Sequence, residues 1–598
     1  MGPCGPSVHP RLFPRSAQLL VLIALGAAIS ASRPAAAATW AVTDCGDSGS
    51  PTQLRATLAA AAAGDTVTVP GCTITLDPAQ GALVVDRSLT IAGVGAAQTI
   101  LDGAAASPIF HLTGGDVTIT GVTIRNGKGG CGGGVLIEGP GTRTISQTII
   151  TGNTAQEGAG VCQGWSSGSF LSVVDSVVSG NFNGGKPAGW AGGIRTYYGG
   201  SQPAPGDWGA TVIRSTISGN APAGITYSGP LTVTDSVISN NLGDGIRAFG
   251  GVTTLGLFNS TVTGNGGWGV DLNSWGGSTA VLFNSTISGN GSGVLVQWTS
   301  TSTFSSAFIR WSSVVANTSV GLQADDRLGV GSSIVANTTG GPNCQAASGM
   351  LNSEGHNVES ANTCGFTSPG DLANTDPRLG PLQDNGGPTP THALLPDSPA
   401  IDAGNPGTCP PADQRGVARP QDGNGDGVAV CDIGAFEVVP AGSPPPGPGL
   451  TPTLALTLGK TSFHPGETFQ LAVTAANPGP GQLVDVFVGA LLPPDTGPAF
   501  GCPAGDPIAF LADGFTRIVV TCLSAPPQGF PPLFQATMLP AGLPATNIPL
   551  STLQWPAGAP PGTYTFFLVL TPPNAFTDGR IDATDFVALS TSNVVLGP

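Results

Sequence analysis

The chain has 598 residues, of which 91 are glycine and 54 proline, yet 40% of residues are hydrophobic. That apolar share excludes a disordered chain, and no Gly-X-Y period exists to make it collagen. Only 9% of residues are charged and the formal net charge is −16, so the chain has no basic footprint for nucleic acid.

Length alone suggests several domains, and the chain order supplies them. Residues 1–38 read as a secretory signal. Arg11 and Arg15 form its basic start, residues 19–29 its apolar core, and the alanines at 35–38 its cleavage site. The apolar run is too short to span a bilayer, and no later stretch is apolar enough to do so. Cys4 leaves with the signal. The remaining ten cysteines fall into close pairs: Cys45/Cys72, Cys131/Cys162, Cys344/Cys364, Cys409/Cys431 and Cys502/Cys522. An even set in an exported chain predicts disulfides, with nearest-neighbour pairing as the expectation and connectivity open.

Residues 39–65 read as a cap. Ser50 is placed as the N-cap, Pro51 in the first helical position and Gln53 as a capping-box partner, with a helix over 54–63 that Gly64 stops.

A heptad then recurs, as QTIITGN ending at Asn153, DSVVSGN at Asn181, RSTISGN at Asn220 and DSVISNN at Asn241. It continues at Asn265, Asn290, Asn317 and Asn337, and TGVTIRN at Asn126 precedes it. The period is about 26 residues. After each Asn comes a glycine followed by an aliphatic residue, as in Gly160-Val161, Gly193-Ile194, Gly224-Ile225, Gly245-Ile246, Gly269-Val270, Gly293-Val294 and Gly321-Leu322. Short β-branched runs between Asn and Gly corners, repeated, predict an all-β solenoid over 66–373. Its stacked coils would share one core and an Asn ladder. A propeller needs longer blades, and a leucine-rich solenoid needs leucine in place of Val and Ile.

This repeat resembles the parallel β-helices of the pectate-lyase-like superfold, which implies a right-handed coil. The stretch TQLRATLAAAAAGDTVTVPGCTITL is similar to a degenerate LREA-type N-terminal segment of secreted bacterial β-helix proteins. Residues 374–439, including NTDPRLGPLQDNGGPTPTHALLPDSPAIDAG and DQRGVARPQDGNGDGVAVCDIGAFE, closely resemble the choice-of-anchor Q domain of bacterial surface proteins. Residues 440–450 are a Pro/Gly linker. Alternating runs and turns over 451–598 suggest an immunoglobulin-like β-sandwich.

Two places carry candidate chemistry. Asp422, Asn424 and Asp426 alternate with glycines as at the opening of a calcium loop. The twelfth position is Ile433, so Asp432 or Glu437 would have to stand in for the missing Glu. The alternative is a solvated turn tied by Cys409 and Cys431. The second place is the strand after each corner. With the aliphatic residue inward, the residues one and three later point out. The first column is Arg195, Thr226, Arg247, Asp271, Leu295 and Gln323; the second is Tyr197, Ser228, Phe249, Asn273, Gln297 and Asp325. Trp190, Tyr198, Trp208, Tyr227, Trp275 and Trp298 crowd nearby, some in an insertion before Asn220. Polar groups and rings on a flat sheet suit a polysaccharide or cell-surface glycan. An ordinary outer face, with Arg247 and Asp271 as a surface ion pair, is the plainer alternative.

The expectation is a secreted or cell-surface β-helix that binds glycan or adheres without catalysis. The alternative is a polysaccharide lyase or glycoside hydrolase using Arg195, Arg247, Asp271 and Asp325. Neither His111 nor His356 has an evident partner in the sequence.

Overall fold

The computed structural model describes residues 37–440, apart from 165–167, 185–190, 198–208, 275–276 and 299–304, and chiefly the strands between 453 and 596. Residues 1–36 of the expected signal, residues 441–450 of the expected linker, and Trp190, Tyr198, Trp208 and Trp275 lie outside the described residues, as do the side chains of Trp298, Cys502 and Cys522.

The chain winds through three long parallel sheets. Each coil passes first through a 13-stranded sheet running from Thr39–Ala41 to Leu351–Gly355, then through a 12-stranded sheet from Thr73–Thr75 to Val358–Glu359. It closes through an 11-stranded sheet from Leu83–Val85 to Cys344–Ala346. We call these the first, second and third sheets. Successive coils stack about 4.8 Å apart in parallel register, making about twelve turns. The alternation seen at Thr66–Val69, where Val67 and Val69 are buried and the threonines half-buried, recurs along the first sheet. Its aliphatic sets merge into one apolar core. This is an all-β parallel β-helix.

The corner between the second and third sheets holds the asparagine ladder. Asn153, Asn181, Asn220, Asn241, Asn265, Asn290 and Asn317 are all buried. From Asn153 to Asn290 each side-chain amide donates to the Oδ1 of the next at 2.8–3.1 Å. Each backbone N–H from Asn153 to Asn290 donates to that same Oδ1.

Asn126 and Asn337 do not join the ladder, which corrects their place in the repeat. Strand register pairs Thr151 with Arg125 and Val315 with Ala336. Asn126 therefore stands opposite Gly152, and Asn337 opposite Ala316. Both adopt positive φ, 56° and 58°. Asparagine tolerates that backbone, so it replaces the corner glycine one residue before the ladder position. The glycine ahead of each aliphatic residue has a different cause: a Cβ on Gly293 would stand 2.1 Å from the Gly321 carbonyl, and one on Gly193 2.3 Å from that of Gly224.

The N-terminal helix is shorter than expected, spanning Leu54–Ala60 with Gln53 rather than Ser50 at the N-cap. Gln53 Oε1 accepts the N–H groups of Gly49 and Ser50. The helix ends early because the Ala62 N–H is captured by the Asp65 carboxylate. Leu54 and Leu58 bury against the first coil. Cystines join Cys45–Cys72, Cys131–Cys162, Cys344–Cys364 and Cys409–Cys431.

Residues 374–439 return along the outside of the second sheet as a strap. The amide of Gln414 donates to the Thr261 hydroxyl and its Oε1 accepts from Thr286. His392 Nε2 lies 2.8 Å from the Ser288 hydroxyl. Arg419 stacks 5.1 Å from the ring of buried Trp311. Beyond residue 450 the strand pairs are antiparallel except for Ser462–Phe463, which pairs in parallel with Ala588–Leu596. Thr468–Asn477 pairs with Thr453–Leu458 and Leu543–Gln554, and Gln482–Leu491 with Gly562–Thr571.

The ladder makes a contrast that can be measured. Asn265→Ala leaves buried donors and acceptors unpaired at about 1–3 kcal/mol each, so its denaturant midpoint falls well below wild type. Asn337→Gly, at an exposed positive-φ position, changes stability by about 0.5 kcal/mol or less.

Candidate functional site

The third sheet carries the two predicted columns on its outer face. Backbone register aligns Arg195, Thr226, Arg247, Asp271, Leu295 and Gln323 rung by rung. It also pairs Asn273 with Gln297. The aliphatic partners, Ile194 through Val294 to Leu322, point inward and are fully buried. A strand's two-residue period leaves no other arrangement.

Much of this face is more enclosed than an ordinary surface. Arg195 and Thr226 are each 1% exposed and Asp271 3%. Arg195 forms an ion pair with Glu157 and stacks 4.9 Å from the Tyr197 ring. Burial lowers its guanidinium to about 10, with Tyr197 opposing the shift. Cys162 lies beside Arg195 in register, and the Cys131–Cys162 cystine borders the turn that carries Glu157. The Tyr197 and Phe249 rings lie 6.5 Å apart.

Two coils further along, one arginine holds two acids. Arg247 meets Asp244 at 3.2 Å and Asp271 at 3.4 Å. Asp244 also accepts the Trp268 N–H, and Asp271 that of Asn273. Burial pushes the Asp271 carboxyl up to about 7, and the neighbouring Asp244 charge pushes the same way against Arg247. Asp244 is also raised, chiefly by burial. The expected Arg247–Asp271 pair therefore exists, as part of a triad rather than an exposed bridge.

Of the four residues grouped as a catalytic set, only Arg247 and Asp271 meet. Arg195 has Glu157. Asp325 lies in the second column and accepts the side-chain amides of Gln297 at 3.1 Å and Gln323 at 2.9 Å.

Three expectations need correction. Tyr227 pairs with Ala248 two residues past the inward Ile225, so its side chain fills the coil interior and is 0% exposed. Burial raises its phenol, and it forms no part of the outer face. His111 has a partner after all: Nε2 lies 2.6 Å from Glu138, on the N-terminal extension of the same face. His356 Nδ1 meets the Ala403 carbonyl of the strap.

Asp244 and Glu157 were not singled out from sequence. Asp244 directly precedes the glycine of its Gly-aliphatic element, where the other coils place Gly, Ala, Trp, Ser or Val. A lone acid at that position was the available signal.

The acidic turn in the strap folds on itself. Asp422 Oδ1 accepts the N–H groups of Gly425 and Asp426, and Oδ2 that of Gly427. Asn424 Oδ1 accepts from Asp426. Asp432 is 0% exposed and accepts from Asp402 and Val438. Glu437 is equally buried and faces Arg419 at 3.3 Å. Burial raises both carboxyls. Asp432 and Glu437 are thus committed to the strap's interior, and a calcium loop would keep only Asp422, Asn424 and Asp426. Among the described residues, the one grouping of three metal-capable side chains is Cys131, Glu157 and Cys162, and its cysteines are joined as cystine.

The model of the right handed beta helix region matches residues 107–282 and again 191–309, together about a third of the chain. With the three parallel sheets, this defines a right-handed parallel β-helix protein. No curated protein matches the chain. Among solved structures it is similar to Spo0M, a sporulation control protein from Bacillus subtilis, with 12% identity and a TM-score of 0.15. That likeness covers 25% of this chain and 50% of the other, so the chain spans half the length of that protein. Among the described residues, no helix is long and apolar enough to cross a membrane.

The raised carboxyl has a pH signature. Asp271 binds its proton more tightly when folded, at about 7 against the ordinary 3.8. Between those values the folded state holds the extra proton, so stability falls as pH rises from about 4 to about 7. Asp271→Asn cannot ionise. Wild type is therefore expected to lose stability relative to Asp271→Asn between pH 5 and pH 8, read as the difference between their urea midpoints.

Proposed function

We propose that the protein is exported and binds a glycan along the outer face of the third sheet without turning it over. The observation that carries this reading is the run of polar side chains in register, from Arg247 and Asp271 through Asn273 and Gln297 to Gln323 and Asp325, with the Tyr197 and Phe249 rings near its start. Sugar hydroxyls match amides and carboxyls, and sugar C–H faces match rings. The four cystines and the signal-like residues 1–38 support export. Residues 374–439 belong to this reading as a choice-of-anchor Q-like segment, residues 39–65 as an LREA-like cap, and 451–598 as an immunoglobulin-like module. The overall likeness is to pectate-lyase-like proteins of the cell exterior.

Glycan-array binding and isothermal titration test it. Phe249→Ala and Asn273→Ala are expected to weaken binding about fivefold or more while the fold is kept, since each removes a contact worth about 1 kcal/mol or more. Unchanged affinity in both would place the ligand elsewhere.

A second reading rests on Asp271. A carboxyl near 7 beside a second acid is suited to donating a proton to a glycosidic oxygen. This is the hydrolase or lyase alternative. It requires reducing-end or unsaturated-product release that Asp271→Asn abolishes.

A further inference from the structure

We infer that the outer face of the third sheet takes neutral glycans and rejects polyuronates. This rests on the glycan reading above and adds the substrate class.

The reason is the charge left over once the face's own pairs are made. Among the described residues, two guanidinium groups stand on this stretch, Arg195 and Arg247, against four carboxyl groups: Glu157, Asp244, Asp271 and Asp325. Arg195 is committed to Glu157 and is 1% exposed. Arg247 is shared between Asp244 and Asp271 from its own coil and the next. Asp325 is held by two side-chain amides, those of Gln297 and Gln323. Toward the N-terminus, His111 is likewise tied to Glu138.

A uronate needs a cation to replace its water. Binding one here would mean breaking an existing, largely enclosed pair, which leaves its acid uncompensated. The field of the face is also of the wrong sign, and the chain's net charge of −16 extends it. Burial keeps Asp271 partly protonated near neutral pH, so it adds a donor that suits a hydroxyl or an ether oxygen. The remaining functions, Asn273, Gln297 and Gln323, are amides, which recognise hydroxyls without charge.

Affinity gel electrophoresis of the full chain tests this, with galactomannan and xyloglucan as neutral probes and polygalacturonate and alginate as acidic ones. Retention by a neutral probe is expected, with little change between about 0.05 and 0.5 M NaCl, since no ion pair forms with the ligand. Asp244→Asn/Asp271→Asn unties Arg247, and is expected to gain retention by polygalacturonate that salt removes. Wild-type retention by the acidic probes alone, or a steep loss of neutral-probe binding with salt, overturns the neutral-substrate inference and leaves the glycan reading standing. A folded double variant, verified by circular dichroism, that gains nothing also overturns it. Retention by none of the four probes or by any polysaccharide on an array overturns the glycan reading itself.

Discussion

The structure depends on parallel in-register stacking of coils that cannot satisfy themselves. A single coil has a core only a few side chains wide, and its backbone groups point up and down rather than across. Each coil becomes stable by handing those groups to the next. The asparagine ladder is the clearest case. At the corner between the second and third sheets the backbone turns, and its N–H groups leave the sheet pattern. Asparagine supplies an acceptor and a donor at that point, and the same residue one coil on completes the pair. The glycines follow from the same stacking. Neighbouring carbonyls come too close to Gly193 and Gly293 for a side chain. The low charge follows as well, since an outer face of Ser, Thr and Asn needs little of it.

That regularity makes a flat scaffold, and function must come from departures from it. On the third sheet the departures are charged. Arg195 and Arg247 stand on the rungs either side of Thr226, and Asp271 on the rung between Arg247 and Leu295. Neither is loose, because each meets acids from adjacent coils. Partial burial strengthens those pairs and raises Asp271 at the same time. On the second sheet the departure is the strap, whose polar residues Gln414 and His392 replace solvent for Thr261, Thr286 and Ser288. The two outer faces therefore differ, one covered by the chain's own segment and one lined with paired polar side chains.

Much of the fold was legible in the residues. Seven of the nine repeat asparagines occupy the ladder, and the inward column from Ile194 to Leu322 lies in register as the Gly-aliphatic elements require. The errors have local causes. Asn126 and Asn337 share the composition of the ladder but sit one residue earlier, where backbone conformation rather than side-chain bonding selects asparagine. Tyr227 looked like part of an aromatic cluster, yet strand alternation sends it inward beside Ala248. Asp432 was read from its place in a loop pattern, while burial turned it into the strap's interior.

The sequence by itself determined the coil, because a repeat writes its geometry into every period. Inward aliphatics, corner glycines and ladder asparagines recur, and each recurrence corrects misreading of the others. Only the tertiary structure decided which acids meet which arginines. Asp244 and Asp271 lie 27 residues apart, against 24 for strand partners on the same two coils such as Arg247 and Asp271, and nothing periodic marks them. Stacking places them on one guanidinium, and enclosure of the face sets their protonation. Pairing and burial are relations between coils, so a reading along one chain reaches the rungs but not the charge balance between them.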